Sequence, residues 1–160
     1  MNTNIKKSFK VIFNSNYKID GTNANANYYI DWSTILKDNQ EYTMSWSYDG
    51  QANTFAAATK IATVNINLYA NIFVTNSSLA SFVSNGAITS QNIGVLIQNQ
   101  GGLYGDINFN TPIHFNSRPN NNNVNIQILN NDNPPTDWVD NDDPILGPNH
   151  YILILNFTEL

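Results

Sequence analysis

Cysteine is absent from this chain of 160 residues. No disulfide, thiolate metal site or thiol nucleophile is therefore available. Charge is scarce too. Asp, Glu, Lys and Arg make up 12% of the residues, about half the usual share. Seven basic residues against twelve acidic ones leave a net charge of −5. That balance argues against a protein that wraps nucleic acid, and residues 1–10 offer only Lys6, Lys7 and Lys10 as a basic arm. Long apolar runs are also missing. None approaches the roughly 20 residues of a spanning helix, and residues 1–10 lack the apolar middle of a secretory signal. The expectation is no transmembrane segment and no signal peptide.

Asparagine is what the chain has in excess: 30 residues, against 6 Lys and 1 Arg. An AT-rich genome would raise Asn, Ile and Lys together. Ile is common at 18, but Lys is not. The surface is therefore expected to be polar, neutral and covered in Asn. Apolar residues reach 41%, with 8 Tyr, 8 Phe and 3 Trp, too many for a disordered chain. A length of 160 residues suits one domain, taken as 1–160.

Hydrophobicity alternates with period two, the signature of half-buried strands. Phe9, Val11 and Phe13 share a face, as do Tyr28, Ile30 and Trp32. Residues 41–48 set Tyr42, Met44, Trp46 and Tyr48 against Thr43, Ser45 and Ser47. Residues 63–75 read as one long strand with Val64, Ile66, Leu68, Ala70, Ile72 and Val74 on one side. Shorter strands follow at 93–98, 103–109, 112–116 and 124–129. Pro112 suggests an edge position for the third of these. Residues 151–157 are apolar on both faces, with Ile152 and Ile154 assigned to the core. Asp20-Gly21, Asp49-Gly50 and Asn85-Gly86 are turn signals. Helix is expected only at 33–37, capped by Ser33, and at 76–83. Long connections between short strands favour an all-β, two-sheet antiparallel sandwich, a single jelly roll.

Chemistry is hard to find. His114 and His150 share no strand, and no nucleophile elbow or phosphate loop occurs. No catalytic residue, cofactor or metal is expected. Five carboxylates crowd one loop: Asp132, Asp137, Asp140, Asp142 and Asp143. Asp137, Asp140 and Asp142 are the calcium candidates, but their spacing does not match an EF-hand, and a solvated acidic loop is the plainer reading. Trp138 in the same loop is either a plug on the sandwich or a contact anchor. Tyr69 and Phe73 stand on the polar side of the long strand, where they could stack on a sugar or fill an interface. The second apolar face of the last strand, Tyr151, Leu153, Leu155 and Phe157, needs cover from a neighbouring element or another subunit.

The segments SFKVIFNS, NYYIDWS, EYTMSWSYDG and HYILILNF, with the loop NDNPPTDWVDNDDP, resemble small single-jelly-roll capsid proteins. These are the minor or penton-like vertex proteins of large double-stranded DNA viruses and their virophage and polinton-like relatives. The resemblance implies a structural, non-enzymatic virion component assembled in the host cytoplasm. It implies self-association, as a pentamer or else a trimer, and packing against other capsid proteins without direct contact to nucleic acid. The interface would draw on Tyr151, Leu153, Leu155, Phe157, Trp138, Tyr69 and Phe73. The alternative is a carbohydrate-binding module or lectin, assisted by calcium, and a glycan partner fits either reading.

Overall fold

Strand β1 (Ser8–Asn14) turns Val11 and Phe13 inward and leaves Ser8, Lys10 and Ile12 exposed. The same alternation, repeated on strand after strand, builds the fold. The computed structural model describes residues 6–51, 60–68, 72–73, 81–84, 87–98, 103–106, 112–130 and 150–160. After β1 come β2 (Asp20–Gly21), β3 (Asn25–Tyr29), β4 (Tyr42–Gln51), β5 (Lys60–Ile66) and β6 (Ile72–Phe73). Then follow β7 (Ser81–Ser84), β8 (Ala87–Gln98), β9 (Leu103–Asp106), β10 (Ile113–Phe115), β11 (Asn123–Asn130) and β12 (Tyr151–Glu159).

Every pairing is antiparallel, and the order is that of a jelly roll. One sheet runs β1-β12-β4-β10. The other runs β3-β11-β5-β8. The first of these strands pairs with the last, β3 with β11, β4 with β10, and β5 with β8. The chain is thus one long ribbon doubled on itself and rolled into two sheets. β2 extends the second sheet beyond β3, and β6 extends the first beyond β10. β9 bridges β4 and β8, so the hydrogen-bonded ladder continues round one end.

The two sheets enclose Val11, Phe13, Tyr28, Met44, Trp46, Val64, Ile66, Leu68, Val124, Ile126 and Ile128, all buried as the alternation predicts. Phe9 and Ile30 are only partly buried against this core. Trp46 reaches across the sandwich. Its indole Nε1–H donates to the Ile93 carbonyl at 2.7 Å. Ile93 is the extra residue of a bulge: Val64 pairs with Gly94, but Asn65 pairs with Asn92. The ring occupies the place of a Gly94 side chain, since a Cβ there would lie 2.0 Å from Trp46 Cζ2.

Several expectations change. The last strand is inverted: Tyr151, Leu153, Leu155 and Phe157 are buried, while Ile152 is 39% exposed and Ile154 half-buried. Register is the cause. β12 lies between β1 and β4, and Leu155 stands between Val11 and Trp46, both inward. Strand 63–75 ends at Ile66. The Asn67 side chain accepts the Asn125 N–H at 2.6 Å, replacing a ladder carbonyl, and Ile72–Phe73 pairs in the other sheet. At 33–37 the helical turn is a 3-10 turn, Trp32–Thr34, capped by Asp31, whose Oδ1 accepts from the Ser33 N–H at 3.0 Å and the Ser33 hydroxyl at 2.6 Å. Overlapping the span read as helix, Ser81–Ser84 is a strand that pairs with β8. β10 is internal, between β4 and β6, and Pro112 falls just outside it.

Candidate functional site

Four of the residues expected at an interface, Tyr151, Leu153, Leu155 and Phe157, are buried in the core. Phe157 is the hub of an aromatic cluster in the core. It meets Phe115 edge-on at 5.6 Å, Trp32 at 5.7 Å and Tyr42 at 6.3 Å. Tyr151 stacks on Tyr48 at 5.4 Å, and its hydroxyl lies 3.1 Å from that of Tyr28. Burial pushes the Tyr151 phenol far up from its ordinary pKa, reinforced by the neighbouring Tyr28 and Tyr48. Burial also raises Tyr28, with the hydrogen bond to Tyr151 partly opposing it. These phenols are packing groups, locked neutral. Phe73 lies in β6 with its backbone opposite His114. Tyr69, Trp138, Asp137, Asp140 and Asp142 lie outside the described residues.

The described outer faces carry few charges. On the first sheet the outer rows are Ser8, Lys10, Ile12 and Asn14, then Ile152, Ile154, Asn156 and Thr158, then Thr43, Ser45, Ser47 and Asp49. Ile12, 60% exposed, stands directly opposite Ile154. Polar Asn156 and Thr158, sharing the face of Ile152 and Ile154, were the sequence signal that this face points out.

The second sheet carries a network of amides. The Asn125 Nδ2 group donates to Asn25 Oδ1 and to Asn27 Oδ1, each at 2.8 Å. Asn27 donates onward to Asp20. Asn121 Nδ2 donates to the Asn67 and Asn123 carbonyls, both at 2.8 Å. Tyr29, 60% exposed, stands opposite Asn123 on this sheet. Its place beside Asn27 on the polar side of the strand was the signal for it in the sequence.

The ion pairs given by the described residues gather at one end. Lys37 lies 3.6 Å from Glu159, Arg118 3.7 Å from Asp38, and His114 3.4 Å from Glu41. One partner of each pair, Lys37, Asp38 or Glu41, is largely exposed, so each contributes little stability. Among the described residues no group of His, Cys, Asp or Glu could hold a metal ion. No described helix is long and apolar enough to cross a membrane. Compared with models of known families, with curated proteins and with solved structures, the chain finds no match in any of the three.

Proposed function

We propose that this chain is a structural virion component, a minor or penton-like vertex capsid protein that self-assembles and packs against other capsid proteins. The observation that carries this reading is a jelly roll whose described outer faces are rows of Ser, Thr, Asn and Ile with few charges. Such faces can pack against neighbours without the desolvation cost of buried charge. The buried state of Tyr151, Leu153, Leu155 and Phe157 moves the expected contact to the opposite face of β12. Ile12, Ile152 and Ile154 are the apolar centre of that face. A ring of five is the favoured assembly and a trimer the alternative, formed in the host cytoplasm and carried in the virion. Light scattering with electron microscopy of the purified protein tests it. Closed rings support the reading, and a monomer at every concentration removes the self-assembly it requires.

A carbohydrate-binding module is the second reading. Tyr29 favours it, an exposed aromatic ring beside hydrogen-bonded amides, the pairing that suits a neutral sugar. Titration with soluble oligosaccharides, followed by Tyr29 ring resonances, separates the two.

A further inference from the structure

The open side of β1 is a backbone template seven residues long. Glu159 donates its N–H to the Lys7 carbonyl at 2.9 Å. Bonded and non-bonded pairs alternate along an antiparallel ladder. Phe9, Val11 and Phe13 therefore bond to Phe157, Leu155 and Leu153. The Tyr151 N–H, 2.9 Å from Ser15 Oγ, keeps the same phase. The N–H and C=O groups of Ser8, Lys10, Ile12 and Asn14 consequently point away from β12. Among the described residues no strand pairs with that side.

Native sheets protect such an edge with proline, a bulge, charged side chains, a covering loop or brevity. β1 carries one of these, the exposed Lys10, and otherwise runs seven residues in unbroken register without Pro or Gly. The other terminal strands are short: two residues each in β2 and β6, four in β7. β2 also carries Gly21 at φ 86°.

We propose that β1 pairs with β1 of a second copy across a two-fold axis at Val11. In that register Ser8 stands opposite Asn14, Phe9 opposite Phe13, and Lys10 opposite Ile12. The four outward-pointing residues of each copy meet four of the other, giving about eight backbone hydrogen bonds. Lys10 never faces its own copy, so no like charges oppose each other. Phe9, left partly uncovered in one subunit, gains Phe13 of the second copy as an inner-face neighbour. Exposed Ile12 becomes part of an outer face running through both subunits. The contact is isologous and goes beyond the capsid reading, since it would hold whether or not the chain builds a virion. Within a ring assembly it would join one ring to the next.

Light scattering over a range of micromolar concentration tests the pairing. Ile12→Pro removes one outward N–H and no bond to β12. Circular dichroism should be unchanged, while the pairing of copies is lost. Ile12→Lys sets lysine against Lys10 and should weaken association at least tenfold, whereas Ile12→Glu sets a carboxylate against Lys10 and should preserve it. These two variants decide the matter if the proline variant does not fold. A wild-type mass shared by Ile12→Pro at every concentration overturns it, as does equal association of Ile12→Lys and Ile12→Glu.

Discussion

Gly94 has no side chain because Trp46 lies where one would be. A Cβ at this position meets ring carbons at 2.0 and 2.9 Å, and the ring is held by its hydrogen bond to Ile93. Gly94→Ala must push Trp46 or β8 aside, and overpacking of this kind costs about 1–3 kcal/mol or more. Trp46→Ala should cost about 3–5 kcal/mol by emptying the same space. Chemical denaturation of both variants checks the pair. A loss below about 1 kcal/mol for Trp46→Ala would contradict its central place in the core. Tyr28 and Tyr151 add a pH dependence. Both phenols titrate higher in the folded chain than in the unfolded one. The unfolded chain therefore releases these protons first as pH rises. Their stabilising effect is complete below about pH 10, the ordinary phenol value, and declines above it. Thermal melts across the alkaline range should show a falling melting temperature, with a shallower fall in Tyr28→Phe, whose ring can stay in place.

β12 shows what one strand can and cannot reveal in its sequence. Its alternation marks a strand, and apolar residues on both faces leave open a central position or a covered outer face; β12 lies between β1 and β4. Which face was inward depended on Asn156 and Thr158, and on its neighbours. Once Met44 and Trp46 are inward, pairing places Phe157 and Leu155 beside them. Leu155→Ala should therefore cost about 2–5 kcal/mol, and Ile154→Thr on the outer face much less. Urea midpoints compare the two directly. The clean alternation of Tyr42, Met44, Trp46 and Tyr48 was legible because one face of β4 is wholly polar. The end of β5 was not, because Asn67 keeps its N–H on the Asn125 carbonyl but accepts the Asn125 N–H through its side chain instead of its own carbonyl, and an asparagine inside an alternating run carries no mark of that use. The open edge of β1 was illegible for a similar reason: which side of a strand is paired depends on the whole order of strands.

At the scale of the molecule, the chain is rich in asparagine, with thirty residues, and the described amides around Asn125 hold one another. The network around Asn125 ties β3 to β11 and uses the donors that water would otherwise take. Association through such surfaces should respond weakly to ionic strength, because few charges are present to be screened. Raising salt from low to physiological levels should leave the assembly mass unchanged in light scattering, whereas a contact built on ion pairs would weaken. The doubled ribbon also bears on time. Ser8 lies beside Thr158, their hydroxyl oxygens 3.1 Å apart across 150 positions of sequence. β12, the strand that β1 and β4 share, comes after every other described strand, so a ribosome delivers it after both of them. Until then two strands wait with their common partner missing and their apolar rows uncovered. Contacts this distant close slowly, on the order of milliseconds to seconds. That interval, rather than the finished fold, is when the chain is most exposed to proteases and to pairing with the wrong neighbour.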